Sequence, residues 1–263
     1  MVAPRAATPR MPQASLPQRA LDLLFPPRCV HCRRTGEPLC AACFSAMEAP
    51  AAPRCERCDQ SLGAAACPRC GACRALASGP QPPALDRIVV ALRYDGATRS
   101  AIRALKFRRQ RRLALPLAYH LTVAAVRAGA EVDIIIPMPL HTTRVRERGY
   151  NQAALLARPL TRTLEAPVNE RILARIRATQ PQTRLNHIER RANVAGAFGL
   201  MGPAEALEGK RIALVDDVTT TGATLEAAAE ALRAAHPAAI YALAVARPMR
   251  SDFWPTDAPP PDL

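Results

Sequence analysis

The chain has 263 residues, 49% of them hydrophobic, which is enough for one large domain or two smaller ones with a sizeable core. Its net charge of +14 is carried almost wholly by arginine, since Lys106 and Lys210 are the only lysines. No apolar run reaches the length of a membrane span, and an arginine excess fits a phosphorylated small ligand as well as a polynucleotide, so it selects neither.

Residues 1–20 carry Arg5, Arg10 and Arg19, several prolines and no acid. They lack a continuous apolar segment, so they read as a disordered leader and not as a secretory signal. Leu21 to Phe25 form a short apolar helix candidate before Pro26-Pro27. All nine cysteines follow, between Cys29 and Cys73. Cys29, Cys32, Cys40 and Cys43 make two Cys-x2-Cys knuckles, and Cys55, Cys58, Cys67 and Cys70 repeat the arrangement. Two residues between cysteines let both thiolates of a knuckle reach one metal, and two knuckles complete a tetrahedral four-sulfur shell. The repeat predicts two structural zinc sites, closed to catalysis, in a module spanning 21–77. Cys73 pairs with Cys70 as well as Cys67 does, so either one can complete the second site. Ser78 to Pro83 reads as a linker.

From residue 84 to about 248 strands and helices alternate, which predicts a mostly parallel sheet flanked by helices. Strands are expected at Ile88–Tyr94, Asp133–Ile136, Ile212–Val215 and Ile240–Val245, with a weak one near Val168–Leu173. Helices are expected over 98–128, broken near Pro116; over 151–164, capped by Asn151 and perturbed at Pro159; and over 224–235. The run Arg99, Arg103, Lys106, Arg108, Arg109, Arg111, Arg112 sits in a stretch with no acid between Asp95 and Glu131. It reads as a solvated basic helix or a nucleic-acid face, although Phe107 is its only aromatic before Tyr119. Lys106 reads equally as a surface lysine and as a diphosphate partner. The proline-rich stretch 249–263 reads as a disordered tail.

The most specific stretch is Arg211 to Thr224. An apolar strand ends in Asp216-Asp217, a hydroxyl-rich turn follows, and a helix pattern begins with Leu225, Ala228, Ala229 and Leu232 on one face. The helix N-terminus presents unpaired N–H groups and a positive dipole end to a phosphate. Thr219, Thr220, Thr221 and Thr224 add hydroxyl donors, and Gly222 lets backbone approach a ligand. The two aspartates only accept hydrogen bonds, which suits sugar hydroxyls and not phosphate. Upstream, Pro137-x-Pro139 with Arg144, Arg146 and Arg148 makes a rigid turn and basic segment that reads either as a diphosphate cradle or as a solvated basic loop. The polar run Ala178 to Leu185, with Arg190 to Asn193, has the composition of a mobile lid, although taken alone it reads first as an ordinary surface loop.

The 211–224 stretch resembles the signature of type I phosphoribosyltransferases, which bind 5-phosphoribosyl 1-diphosphate (PRPP). That resemblance implies Asp216 and Asp217 on the ribose 2′ and 3′ hydroxyls, and Thr219, Thr220, Thr221, Gly222, Ala223 and Thr224 around the 5′-phosphate. It implies Pro139, Arg146 and Arg148 near the diphosphate, and Mg²⁺ entering with it. Taken with Leu23-Leu-Phe-Pro-Pro-Arg-Cys29, Leu105-Lys-Phe107, Arg146-Glu-Arg-Gly-Tyr-Asn-Gln152, Thr179-x-x-Gln182-x-x-Leu185 and Arg191-x-x-Asn193, the chain resembles the ComF family of competence-associated proteins. Membership implies a link to single-stranded DNA handling, a competence helicase-type partner and a cytoplasmic location. It leaves three roles open: phosphoribosyl transfer, DNA handling, and PRPP sensing without turnover. Thr220 stands where purine-salvage relatives carry an acid, so no general acid or base is visible, and catalysis would rest on charge stabilisation.

Overall fold

The computed structural model describes residues 25–59, 61, 83–177 and 192–248. All but the ends of the 21–25 helix and the 78–83 linker lie outside them, as do Cys67, Cys70, Cys73, most of the polar run 178–193 and both terminal tails. In chain order the elements are α1 (Ala41–Ser45), β1 (Arg87–Arg93), α2 (Gly96–Phe107), α3 (Ala114–Arg127), β2 (Ile134–Pro137), α4 (Thr142–Arg148), α5 (Gln152–Ala157) and α6 (Thr161–Leu164). They continue as β3 (Leu173–Arg175), β4 (Phe198–Leu200), β5 (Arg211–Val218), α7 (Ala223–Arg233) and β6 (Ala239–Arg247).

Four strands form one parallel sheet in the order β1-β6-β5-β2, as the alternation predicts. Period-two side-chain direction splits their apolar residues between two cores. Val89, Ala91, Ala213, Val215, Leu243 and Val245 face α2, α3 and α5. Ile88, Val90, Ile212, Leu214, Ile240 and Ala242 face α7 and the β3–β4 pair. That pair is a separate antiparallel ribbon, and the strand expected at 168–173 resolves into its first member plus a single bridge from Val168 to Ile135.

The helix predicted over 98–128 is broken at 108–110, upstream of Pro116. Pro116 lies in the first turn of α3, where its missing N–H would have had no partner, so it opens that helix instead of breaking it. Asn151 caps α5 by accepting from the Ala153 N–H at 2.9 Å, and the chain tightens to a 3₁₀ turn at Arg158–Leu160, around Pro159. The basic segment after Pro139 is a helix, α4, capped by the His141 side chain and ended by Gly149 at φ +80°.

The cysteine module wraps the outer edge of β1. Cys29, Leu39, Cys40, Cys43 and Met47 join the α2–α3 core, while Cys55 and Cys58 join the opposite one. The edge donors of β1, which would otherwise invite a foreign strand, are satisfied: Ile88 N–H by the Arg57 carbonyl at 2.6 Å, and Val90 N–H by the Asp59 carboxylate at 2.7 Å. Asp59 has left-handed backbone geometry (φ 58°) and also accepts from Arg54 at 3.1 Å. The buried Arg247 guanidinium donates to the Cys58 carbonyl, tying the end of β6 to the same knuckle. At the other edge, Ile135 N–H donates to Pro167 and Asn169 N–H to Ile135, at 2.9 and 2.8 Å.

The sulfurs of Cys29, Cys32, Cys40 and Cys43 all lie within 4.8 Å of one another, with Cys32 and Cys40 3.6 Å apart. Burial opposes ionisation of Cys29, yet backbone N–H groups of Cys40, Cys32 and His31 bring its thiol down to about 6. Burial and the neighbouring thiols push Cys43 up to about 12. Thiolates crowded in this way call for a shared cation, and the spacing fits the roughly 2.3 Å Zn–S bonds of a four-sulfur zinc centre.

Two outcomes follow. Stripping metal with a strong chelator is expected to lower the thermal midpoint of the whole chain by at least about 5 °C, because the cluster shares a core with the sheet; zinc-free protein with an unchanged melt would refute the assignment. Asp59→Ala leaves the Val90 donor without its acceptor and should cost about 1–3 kcal/mol in chemical denaturation; no change would mean that water serves the β1 edge equally well.

Candidate phosphate-binding site

The acidic pair lies inside β5, not after it, because β5 runs on to Val218 against β6. Beyond it, Thr219 N–H still donates to the Ala246 carbonyl at 3.0 Å, and the chain then turns at Gly222 into α7. Gly222 has φ +85°, and a Cβ there would sit 3.2 Å from Ile88 Cδ1, so backbone conformation and space both favour glycine. Its carbonyl accepts from the Glu226 N–H at 2.8 Å, and Thr221 Oγ1 accepts from Ala223 N–H at 3.3 Å. The first turn of α7 is thereby aimed at the carboxyl end of the sheet, the place where open parallel sheets bind ligands.

A cleft of about 90 Å³ opens there, lined by Lys106, Asp216, Val218, Thr219, Thr220, Thr221, Gly222, Ala223, Thr224 and Leu225. It is far below the roughly 300–1,000 Å³ that encloses a drug-sized molecule, so it has room for one small group. The loop predicted around the phosphate is therefore assembled around one cavity. Thr219 is buried, and its hydroxyl has no hydrogen-bond partner among the described residues.

The two acids have different surroundings. Asp216 lines the cleft, and burial together with the charge of Asp217 pushes its carboxyl up to about 7. Asp217 is 2% exposed and does not line the cleft. Its Oδ1 pairs with Lys106 Nζ at 3.1 Å, and its Oδ2 has no hydrogen-bond partner among the described residues. Lys106 is thus no surface lysine: its side chain is 20% exposed, and it reaches the cleft from the last turn of α2.

That turn is held in place. The Tyr150 hydroxyl donates to the Leu105 carbonyl, and Arg111 stacks on the Tyr150 ring at 4.6 Å. Asn151 Nδ2 donates to the Met138 carbonyl at 3.0 Å, and Met138 N–H donates to Val215, so the Pro137–Pro139 turn is pinned to β5. Of the basic residues expected near a diphosphate, Arg148 faces the acidic pair. Burial lowers its pKa and the Asp217 charge opposes that; its guanidinium lies over Phe107 at 5.5 Å and donates to Gln152. Arg146 is exposed on the same helix, and neither arginine lines the cleft.

Arg175, on β3, escaped sequence reasoning. Burial lowers its pKa, Asp216 opposes that shift, and its guanidinium lies over the Phe198 ring at 5.6 Å. The β3–β4 pair therefore brings a cation within electrostatic reach of Asp216. Nothing in a three-residue strand marks that role; the alternation of Leu173 and Arg175 was the only local cue.

Residues 20–79 match the double zinc ribbon domain family, and residues 150–256 match the phosphoribosyl transferase domain family. Competence protein F of Haemophilus influenzae is 36% identical over 159 residues, covering 58% of this chain and 69% of the relative. DNA utilization protein YhgH of Escherichia coli is 35% identical over 157 residues, covering 58% of this chain and 68% of that protein. Competence protein ComFC of Bacillus subtilis is 37% identical over 99 residues, 38% of each chain. A zinc-ribbon module fused to a phosphoribosyltransferase-type sheet, with identity at this level over two thirds of its relatives, places the chain in the ComF/YhgH family.

Proposed function

We propose that the chain binds PRPP with Mg²⁺ through the turn between β5 and α7, and that it serves competence or DNA utilization, as the names of its relatives say of them. The observation that carries this reading is the cleft itself. A helix N-terminus, four threonines and a left-handed glycine converge on one small polar cavity beside a carboxylate. Thr219 to Thr224 would hold the 5′-phosphate, and Asp216 would accept from ribose hydroxyls. Arg148, which feels the Asp217 charge, would face the diphosphate, with Arg146 exposed on the same helix. Oxygen donors of this kind suit a hard cation carried in by the ligand. Mg²⁺, when bound, would neutralise diphosphate charge.

If the chain is a transferase, an acceptor attacks C1 opposite the diphosphate. The C1–oxygen bond breaks as the new bond forms, and pyrophosphate leaves with both electrons. Lys106, Arg148 and Arg175 would supply cationic groups toward that charge, so catalysis would work by electrostatic stabilisation.

Calorimetry with PRPP and Mg²⁺ is the direct test. Binding is expected, and Asp216→Asn should weaken it by roughly tenfold or more through the loss of a charged acceptor. Because the ionised Asp216 carboxylate is the form that accepts two sugar hydroxyls, and its pKa is raised to about 7, affinity should rise with pH up to neutrality. It should fall up to about tenfold for each unit below neutrality. The Asn variant should lose that dependence and keep only the one set by the ligand's own phosphate, whose second ionisation is at about pH 6. No PRPP binding at any pH sinks the proposal, and pyrophosphate release on adding an acceptor separates a transferase from a sensor.

A second reading, direct contact with single-stranded DNA, is favoured by the exposed Arg108, Arg109 and Phe107 at the end of α2. Phosphate contacts release counterions, so affinity for an oligonucleotide should fall steeply with salt, and Arg108→Ala/Arg109→Ala should shallow the slope by about 1–2. Salt-independent binding would count against it.

A further inference from the structure

We propose that the cavity bounded by the cysteine module, β1 and α3 is a second binding site, for a small organic anion that carries a heteroaromatic ring. The ring lies at Tyr119 and His120, and the anionic group at Arg87 and Arg127. No part of this rests on the sugar-phosphate reading of the threonine turn.

The cavity measures about 350 Å³, against about 90 Å³ for the threonine cradle, and falls in the range that encloses a drug-sized molecule. The two share no lining residue among those described. One wall is the stripe Tyr119, His120, Val123, Ala124 and Arg127, which falls on a single face of α3. Val89 and Ala91 of β1 face it, and Met47, Ala49, Arg54 and Asp59 of the module form the third side. Ala91 and Ala124 are small, and leave open a volume that longer aliphatic side chains would fill.

The two ends differ in chemistry. Arg87 Nη1 donates to the Ala128 carbonyl at 2.8 Å, so the start of β1 lies beside the end of α3, and Arg87 and Arg127 share one end of the cavity. Tyr119 lies about 12 Å back along the helix axis, at a rise of about 1.5 Å per residue. At the basic end no carboxylate offsets the charge. Asp59 is the one acid in the described lining, and its Oδ2 already accepts from Arg54 at 3.1 Å and from the Val90 N–H at 2.7 Å. Glu131 and Asp133, the acids that follow α3, pair with Arg211. Arg87 keeps donors beyond the one given to Ala128, because a guanidinium has several. Arg127 is exposed in the last turn of α3. Two guanidiniums with no carboxylate between them suit a carboxylate or phosphate.

At the other end Phe44 backs the pair, its ring centroid 5.8 Å from that of Tyr119 and 4.6 Å from that of His120. Burial brings the His120 pKa down to about 4, so the imidazole is neutral near pH 7 and adds no charge. Its Nε2 is buried with no hydrogen-bond partner among the described residues. A buried nitrogen of this kind is costly until something pairs with it. A flat ring with heteroatoms of its own can stack on the aromatic pair and supply that partner, which an aliphatic tail cannot.

Indole-3-acetate is the probe, because it joins a heteroaromatic ring to a carboxylate and has no phosphate for the cradle to hold. Calorimetry on the full chain should show saturable binding, and the probe should raise the thermal midpoint. Acetate, which lacks the ring, and indole, which lacks the charge, should each bind more weakly by about tenfold or more. Val123→Trp fills the cavity and should abolish binding. Arg127→Ala, at an exposed position that the fold does not need, should weaken it by about tenfold. His120→Phe keeps a ring, removes the unpaired nitrogen and should also weaken it. Adenosine 5′-monophosphate, titrated with ribose 5-phosphate saturating the cradle, shows whether a phosphate serves as the anion; binding of either probe with this pattern of losses supports the site. The proposal is overturned if neither probe binds, if Val123→Trp binds as wild type does, if Arg127→Ala or His120→Phe leaves affinity unchanged, or if ribose 5-phosphate displaces indole-3-acetate, which would put the probe in the cradle.

Discussion

The structure turns on the burial of one negative charge. Asp217 sits 2% exposed, inside a strand hydrogen-bonded to β6, at the point where the sheet gives way to the threonine turn. In a low-dielectric surround an unpaired carboxylate costs several kcal/mol, so the fold must deliver a cation to it. It delivers Lys106, one of only two lysines in the chain, from the end of α2. The packing of α2 against β1 and α3, the break at 108–110, and the Tyr150 contact with the Leu105 carbonyl together decide where that ammonium lies. The neighbouring Asp216 inherits the consequence: with a charged Asp217 beside it and little solvent around it, its own proton is held to about neutral pH.

How much of this was legible in the sequence depends on the range of the interaction. The strand ending in two acids, the hydroxyl-rich turn and the helix after it are contiguous, so their order fixed the cradle and even its glycine. The Asn151 cap and the perturbation at Pro159 were legible for the same reason, since both act within one helical turn. The four-sulfur cluster was legible because metal coordination imposes a spacing that few other constraints impose. What the sequence hid was long-range. Lys106 and Asp217 lie on different elements, and a lysine in a basic helix has the same local signature whether it reaches solvent or a buried acid. Arg175 was hidden because its electrostatic coupling to Asp216 comes from where the β3–β4 pair packs and not from its neighbours in the chain. Pro116 misled for a subtler reason: proline breaks a helix interior but is accommodated in the first turn, and periodicity alone did not show which of the two it occupied.

The edge of the sheet raises a separate question: why a cysteine module should precede a phosphate-binding domain at all. A parallel sheet of four strands has two exposed edges, and each is a row of unsatisfied donors and acceptors. The β2 edge is served locally, by Pro167 and Asn169 a short way along the chain. Among the described residues the β1 edge has no such neighbour close in the chain. The module supplies it with backbone and side-chain acceptors from the 55–59 knuckle, and its apolar residues enter both cores. A short segment poor in large apolar residues could not hold that shape by burial alone, so thiolate coordination substitutes for the missing core.

The same contacts reach the ligand site. Arg57, between Cys55 and Cys58, accepts from the Ile88 N–H, and Ile88 is the side chain that leaves no room for a Cβ at Gly222. Just before β1, the Ala84 and Leu85 N–H groups donate to the buried Glu226 carboxylate, in the first turn and a half of α7. Burial raises the pKa of Glu226, and the two backbone donors oppose that shift, so its charge is sustained by the chain entering the sheet. Arg57 also donates to the Leu85 carbonyl at 3.2 Å, closing the path from knuckle to helix. The threonine turn is thus bounded on one side by its own strand and on the other by a segment whose position the knuckle determines. A module none of whose described residues lines the cleft still bears on the cradle, because Ile88, whose N–H the knuckle holds, packs against Gly222 at the turn.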